Sequence, residues 1–167
     1  SLSAVVQVVR TVAPNAGSNG STTVCSSSGP FALINLLGGA PAGGGIWLDP
    51  GSTPVSGTFT PGTSVPGTYA YVVSGSGPCE NDTAFATVNV NIAPVAGGSA
   101  SITVCDNAAP FQLSSVLTGT PMGGGSWTRP NGSPSTGTFT PGISAPGAYT
   151  YTVAGQAPCL DASAVVT

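Results

Sequence analysis

Charge is the scarcest property of this chain. Only 4% of its 167 residues are charged, and both Lys and His are absent. An ordinary soluble domain has about 25% charged residues. The two cations are Arg10 and Arg129, and the net charge is −3, so the chain has no basic patch for nucleic acid or anionic lipid. Its surface must be covered by neutral polar residues, by sugar or by neighbouring subunits.

The lack of His and Lys also removes the usual general bases of enzymes. The many Ser and Thr hydroxyls have no such base to activate them, and no glycine run matches a phosphate-binding loop. The few carboxylates are scattered along the chain. We therefore predict a protein that is not an enzyme and needs no cofactor.

Long apolar runs are missing as well. The apolar residues occur in short runs that are broken by 25 Gly and 16 Pro residues. No segment resembles a signal peptide or a membrane-spanning helix, which needs about 20 apolar residues. We expect no membrane span in this stretch.

What the chain does have is an internal repeat of 80 residues that aligns without a gap. Cys25 aligns with Cys105, Trp47 with Trp127 and Cys79 with Cys159. The segment Ser1–Gln7 aligns with both 81–87 and Asp161–Thr167. Self-similarity at a fixed period is typical of an array, and a period of this length suits a small domain.

The local pattern within each repeat predicts β-strands. Short β-branched and aromatic runs alternate with Pro and Gly turns, and Tyr69, Tyr71 and Val73 share one face of the clearest strand. We expect strands at 23–25, 31–37, 57–60 and 83–92, and a glycine run that leads into a Trp strand over 43–48. The segment 31–37 also has room for one helical turn. The fold class predicted is all-β, with two tandem immunoglobulin-like sandwiches.

The repeat sets the predicted domain boundaries. We expect repeat 1 at 13–92 and repeat 2 at 93–167, with residues 1–12 as the closing strand of a preceding repeat. Repeat 2 stops before the counterparts of Val88–Ile92. Two assemblies stay open: a longer covalent array, or donor-strand exchange in which 1–12 inserts into a neighbouring copy. Because Ser1–Gln7 duplicates Asp161–Thr167, we favour the array.

Four cysteines, two in each repeat, indicate disulfides. They lack the C-x-x-C spacing and the His residues of zinc sites. Because an independent domain carries its own covalent link, we expect Cys25–Cys79 and Cys105–Cys159. Disulfides persist outside the reducing cytosol, so the predicted location is extracellular, at the cell surface.

The repeat also resembles a known family. Its motifs are Gly57-Thr-Phe-Thr-Pro61, Pro66-Gly-Thr-Tyr-Ala-Tyr71, and Pro78-Cys79 followed by the Thr- and Val-rich run 82–90. These resemble the immunoglobulin-like repeats of large Bacteroidota surface proteins, including gliding-motility-type adhesins. The resemblance covers both repeats nearly whole. It implies export, a β-sandwich and a stalk or adhesive role, with no catalytic residues.

The aromatic residues have two interpretations. Trp47 and Trp127 could stack on sugars, or each could fill the core of its sandwich, which we expect. The tyrosines (Tyr69, Tyr71, Tyr149 and Tyr151) form one pair in each repeat. Each pair is expected to be half-buried with its hydroxyls reaching water, and a binding stripe is the alternative.

Two further kinds of site are suggested by the sequence: a calcium site made of carboxylates and acceptor residues for covalent sugar. If Cys105 bonds Cys159, Asp106 and Asp161 lie close enough to begin a calcium site, although we favour solvated turn residues as the explanation. Sugar attachment is predicted at Thr83 or Asn81, where two acceptor patterns overlap, and at Asn19 and Asn131.

Together these features predict a structural repeat of an extracellular bacterial filament or adhesin stalk. Its partners would be neighbouring copies of the repeat and surface glycans. The alternatives are an array of carbohydrate-binding modules and a pilus subunit. Exposure of Trp47 and Trp127 would favour the binding module, and burial would favour the structural role.

Overall fold

A computed structural model describes residues 4–167. The chain forms two compact units, which are described separately below. Unit 1 contains the described residues up to Val24 together with Ser28–Val90, and unit 2 contains Cys25–Ser27 together with Asn91–Thr167. The three residues Cys25–Ser27 therefore pack with unit 2, although they lie in the first repeat of the sequence.

Unit 1 is built from a five-stranded sheet that faces a two-stranded one. The order of the larger sheet is β1-β7-β6-β3-β4, and the smaller sheet pairs β2 with β5. Phe59 of the small sheet packs edge-on against Tyr69 of the large sheet, with ring centroids 5.9 Å apart. The strands are β1 (Gly20–Cys25), β2 (Phe31–Ala32), β3 (Ile46–Leu48), β4 (Pro54–Val55), β5 (Thr58–Phe59), β6 (Gly67–Val73) and β7 (Asp82–Asn91).

Unit 2 repeats this plan with fewer paired residues. Its larger sheet has the order β10-β9-β12-β13, and its smaller sheet pairs β11 with β8. In place of a counterpart of β1, an isolated parallel bridge joins Ala100 to Val166. The strands are β8 (Phe111–Gln112), β9 (Ser126–Thr128), β10 (Pro134–Ser135), β11 (Thr138–Phe139), β12 (Tyr149–Val153) and β13 (Ala162–Val166).

The two cores contain the same positions 80 residues apart, as the repeat predicts. Alternation in β6 and β12 turns every second side chain inward, so the tyrosines and the last valine of each strand are buried. Buried pairs with this offset are Ala16/Ala96, Leu33/Leu113, Leu37/Leu117, Trp47/Trp127, Tyr69/Tyr149, Tyr71/Tyr151, Val73/Val153, Ala84/Ala164 and Ala86/Val166. The prediction of an all-β, immunoglobulin-like sandwich for each repeat is confirmed.

One tyrosine of each unit makes a contact typical of immunoglobulin-like sandwiches. The Tyr69 hydroxyl donates to the carbonyl oxygen of Val65, four residues upstream, at 2.7 Å. Tyr149 does the same to Ala145 at 2.9 Å. This local bond resembles the tyrosine corner of such folds.

The segment 31–37 differs from the predicted strand. Only Phe31–Ala32 is extended, and Leu33–Leu36 forms a 3₁₀ turn, so the helical turn allowed by the sequence is present. The turn is closed by the Leu37 N–H, which donates to Ile34 O at 3.2 Å. It turns Leu33 into the core, where the side chain is fully buried.

Candidate functional site

The most informative site is the disulfide of unit 2. Cys25 is bonded to Cys159, 134 residues further along the chain, with the Cα atoms 5.0 Å apart. The expected pairs Cys25–Cys79 and Cys105–Cys159 are therefore wrong. The disulfide expected within repeat 1 does not form because Cys25 packs in unit 2, beside Cys159, and not in unit 1.

Backbone hydrogen bonds hold the segment Cys25–Ser27 in unit 2. The Ser26 N–H donates to Asn91 O at 2.8 Å, and the Ala93 N–H donates to the Ser26 hydroxyl oxygen at 2.9 Å. On the other side of the bond, the sulfur of Cys159 lies 3.4 Å from Asn91 O. Both cysteines are buried. Three residues of the first repeat, Cys25–Ser27, are thus bound to the second repeat by hydrogen bonds and a disulfide.

Cys79 and Cys105 are not disulfide-bonded in the described chain. Cys79, the counterpart of Cys159, is half-buried, and its sulfur lies 4.0 Å from Thr11 O. Thr11 is itself the counterpart of Asn91, so the Cys79 thiol has the same local position in unit 1 as the disulfide-bonded sulfur of Cys159 has in unit 2. Cys105, the counterpart of Cys25, is exposed.

An apolar groove with a volume of about 450 Å³ opens beside Cys105 in unit 2. Its floor includes Phe139 and Tyr149, and its rim includes Ile102, Val104 and Asp106. In unit 1 the same region is closed, because Val88 and Val90 of β7 pack against the core there. Phe59 is fully buried in unit 1, whereas its counterpart in unit 2 is only half-buried.

The tryptophans are core residues, as predicted. Trp47 is 7% exposed and Trp127 is 8% exposed. Each stacks on a tyrosine at the offset of 80: the rings of Trp47 and Tyr71 are 4.9 Å apart, and their counterparts in unit 2 are 5.0 Å apart. Neither indole offers a face for stacking on a sugar.

The four tyrosines are buried, in contrast to the half-buried arrangement expected. Their hydroxyls bond backbone groups instead of water. The Tyr71 hydroxyl donates to Ala42 O at 2.7 Å and accepts from the Gly45 N–H at 3.0 Å. The glycine run before each tryptophan therefore accommodates this tyrosine. A Cβ on Gly45 would lie 2.5 Å from Tyr71 Cζ.

One tyrosine has a perturbed acidity. Burial raises the pKa of Tyr69 above its ordinary value of 10.0, and the negative charge of Asp49 raises it further. The Asp49 carboxylate is fixed by the N–H groups of Gly51 and Thr53, at 2.9 and 2.8 Å. In unit 2 the counterpart of Asp49 is Arg129.

The calcium hypothesis loses its premise. It required a Cys105–Cys159 bond to bring Asp106 and Asp161 together, but Cys159 bonds Cys25. The Asp161 carboxylate instead accepts the Gly155 N–H at 2.8 Å. Within residues 4–167, no group of three or more His, Cys, Asp or Glu side chains could hold a metal ion.

The predicted sugar acceptors are all exposed. Thr83 lies in β7 and faces outward. The oxygens of the three Asn side chains accept backbone N–H groups: Asn81 from Gly75 at 2.9 Å, Asn19 from Phe85 at 2.8 Å and Asn131 from Ser133 at 3.1 Å. Sugar attachment at these residues stays a prediction.

No helix among residues 4–167 has the length and hydropathy needed to cross a membrane.

No family model and no curated protein matches the chain. Among solved structures, it is similar to the crystal structure of Dscam1 isoform 4.4, N-terminal four Ig domains, with 19% sequence identity and a TM-score of 0.35. The match covers 97% of this chain and 47% of that one, so the chain spans about half the length of the structure that it matches. A similarity of this extent carries no conclusion about function.

Proposed function

We propose that this chain is a structural, non-catalytic segment of an extracellular bacterial filament or adhesin stalk. In this proposal, 13–92 and 93–167 are successive immunoglobulin-like repeats, and residues 1–12 are the closing strand of another repeat. The disulfide supports a location outside the reducing cytosol, since such bonds persist in oxidising compartments. The resemblance to Bacteroidota surface repeats supports the same placement.

The observation that carries the proposal is the bond between Cys25 and Cys159. When a chain is pulled from its ends, tension passes along the shortest covalent path. Here that path crosses from Cys25 to Cys159 and bypasses the residues between them. Those residues belong to both compact units. A stalk protein gains from this connectivity, because pulling cannot extend either fold fully while the bond is intact.

The rival function, a carbohydrate-binding array, would need an exposed aromatic surface. In both repeats the tryptophan and the paired tyrosines are buried in the core. The Tyr71 hydroxyl bonds Ala42 O, and Tyr151 bonds Met122 O at 2.6 Å, so these groups serve the fold. Their use in packing supports a structural role over a sugar-binding one.

The remaining parts of the proposal concern partners and surface. Neighbouring copies of the repeat are the proposed partners, and covalent sugar at Thr83 or Asn81, with Asn19 and Asn131 as further sites, would hydrate a nearly uncharged surface. Export would expose that surface outside the cell, where surface glycans are further candidate partners.

The test is localisation on intact cells of the source organism. Antibodies raised against this chain should label structures that project from unpermeabilised cells in immunogold electron microscopy. Cells lacking the gene provide the control and should lose the label together with the projections. Label that appears only after permeabilisation would contradict the proposal. Specific binding of the purified chain to a glycan array, abolished by Trp47→Phe, would favour the sugar-binding alternative.

A further inference from the structure

A polar cleft with a volume of about 330 Å³ opens on unit 2 at the end of β9. The antiparallel register pairs Thr128, the last residue of β9, with Thr150 of β12, so the next residue, Arg129, lies opposite Tyr149. The volume is at the lower end of the range for small-ligand pockets, about 300–1,000 Å³. The lining includes Arg129, Asn131, Thr138, Ile143, Ser144 and Tyr149.

The cleft does not depend on the length of β13. Strand β12 pairs with β9 along one edge and with β13 along the other. Residues that continue β13 would therefore lie on the edge of β12 away from Arg129. Unit 1 has the same arrangement, because Asp49 follows β3 while the longer β7 pairs with the other edge of β6. The cleft is thus a feature of the β9 side of the unit.

The side chain of Arg129 is not needed by the turn in which it lies. In unit 1, the Asp49 carboxylate closes the corresponding turn by accepting two backbone N–H groups. In unit 2, the side-chain oxygen of Asn131 has this role, and it accepts the N–H and the hydroxyl of Ser133 at 3.1 and 2.7 Å. Arg129 is exposed, so its guanidinium can contact a ligand.

The charge of Arg129 favours an anionic ligand. Arg129 is the only cation of unit 2, all of which the structure describes. Neither of the side-chain carboxylates of that unit, Asp106 and Asp161, lines the cleft. A guanidinium presents a planar fork of N–H donors that matches a carboxylate through two parallel hydrogen bonds. The cleft is therefore suited to a carboxylate group.

The other lining residues suit a sugar ring. Ile143 is 84% exposed and offers an apolar surface to the C–H groups of a ring. The Ser144 hydroxyl oxygen accepts the Thr140 N–H at 2.9 Å, which leaves the O–H of Ser144 to donate to a ligand. Because the Asn131 oxygen is used in the turn, its NH₂ group is the part that can donate to a sugar hydroxyl.

We propose that this cleft binds an acidic saccharide, with Arg129 holding the carboxylate of a uronate and Asn131 and Ser144 donating to its ring hydroxyls. This binding activity goes beyond the stalk role and does not use the buried tryptophans. Unit 1 should not bind the same ligand, because Asp49 has the place of Arg129 and would repel a carboxylate.

The experiment is a titration of the full, ¹⁵N-labelled chain with methyl glucuronide at low salt, followed by NMR. Amide signals of 129–133 and 143–145 should shift and saturate, while those of 49–53 and 63–65 in unit 1 should not. Methyl glucoside has a neutral CH₂OH group in place of the carboxylate, and should bind about tenfold or more weakly. Equal affinities for the two sugars would overturn the proposal. So would the absence of saturable shifts up to about 20 mM ligand, which is well above a millimolar dissociation constant.

A second set of ligands tests whether the ring is recognised. Acetate and inorganic phosphate present an anion without a ring, and a diglutamate peptide presents carboxylates on a peptide. Each should bind about tenfold or more weakly than methyl glucuronide, because none can use both the guanidinium and the donors placed for ring hydroxyls. Equal binding of any of the three would refute recognition of a saccharide.

Matched variants test the role of Arg129. Arg129→Gln should weaken the binding of methyl glucuronide by about tenfold or more, and Arg129→Lys should weaken it less, because the charge remains but the planar fork is lost. Arg10→Gln removes the other cation of the chain and should leave the affinity unchanged. The amide spectra of the free variants check that the fold is retained. Equal losses in Arg129→Gln and Arg10→Gln would show a general effect of net charge and refute the site.

These outcomes separate the binding site from the proposed function. Arg129-dependent binding by a protein that immunogold labelling finds only inside cells would refute the stalk role and keep the site. Labelled surface projections built from a chain that does not bind methyl glucuronide would keep the stalk role and refute the site.

Discussion

Cys25 and Cys159 are bonded to each other although they belong to successive sequence repeats. The bond lies inside unit 2, because Cys25–Ser27 packs there. The expectation of one bond within each repeat assumed that a bond across repeats would break the periodicity of an array. That assumption is wrong: a bond from one position to another 134 residues later can recur every 80 residues.

The first prediction concerns which unit the disulfide stabilises. Cys159→Ser should lower the free energy of unfolding of unit 2 by about 2–5 kcal/mol, because the open chain gains entropy when unfolded. Unit 1 should change far less, since Cys25 and Cys159 both lie in unit 2. Hydrogen exchange followed by mass spectrometry resolves the two units. Cys79→Ser is the control and should shift neither by more than about 0.5 kcal/mol.

The second prediction concerns the glycine that faces Tyr71. Gly45→Ala should destabilise unit 1 by about 1–3 kcal/mol, because the added Cβ overlaps a buried ring held by Ala42 O. Gly43→Ala is the matched control: a Cβ there meets nothing within 4 Å. Thermal unfolding of the two variants gives the comparison. Equal midpoints would show that the tyrosine ring can move away.

The third prediction is a loss of stability in alkali. Because the pKa of Tyr69 is raised in the folded state, the unfolded chain releases this proton first as pH increases. The contribution of Tyr69 is therefore fully present below its ordinary pKa of 10.0 and is lost as pH rises through the higher pKa of the folded state. Urea midpoints of unit 1, measured from about pH 8 to 11 with the thiols alkylated, should decline across this range.

Two variants identify the cause of that decline. Tyr69→Phe should lower stability at neutral pH, through loss of the bond to Val65 O, but should flatten the alkaline decline. Asp49→Asn removes the second cause of the shift and should reduce the decline in part. An undiminished decline in Tyr69→Phe would assign the effect to another group.

The sequence predicted most of the fold because the relevant forces are local or periodic. Alternation placed Tyr69, Tyr71 and Val73 on one shared face, which the structure buries, and the gap-free repeat predicted the same core twice. The tryptophans were also predicted to be buried, since a sandwich of this size has few other residues to fill its centre.

The sequence could not predict contacts that depend on where a short segment packs. Nothing in the sequence of Cys25–Ser27 shows that these residues pack with unit 2, because the hydrogen bonds that hold them there connect Ser26 to Asn91 and Ala93. The tyrosine hydroxyls were likewise expected in water. Their actual acceptors are loop carbonyls such as Ala42 O, and the sequence does not show that these loops pack against the tyrosines. The gap-free alignment of Cys25 with Cys105 and of Cys79 with Cys159 also allows a bond between successive repeats, and that pairing could have been considered.

The fourth prediction concerns sugar on the protein purified from its natural source. A proteolytic peptide that contains Asn81 and Thr83 should be heavier than its bare sequence, because both residues are exposed and lie in acceptor sequences. Thr83→Ala disrupts both patterns and should remove the largest part of the added mass. Thr68→Ala, which changes a hydroxyl outside these patterns, is the control. A mass of this peptide equal to that of its bare sequence would contradict the prediction.

The fifth prediction is mechanical and depends on the connectivity of the disulfide. In single-molecule stretching from the two ends, the oxidised chain should extend only by the residues outside Cys25–Cys159. Reduction, or Cys159→Ser, should release the enclosed 134-residue separation at roughly 3.4 Å per residue. A Cys25–Cys79 bond would give a different result, since all of 80–167 would then extend before reduction. Extension of unit 2 in the oxidised chain would therefore contradict both the pairing and the tension-shielding role proposed for it.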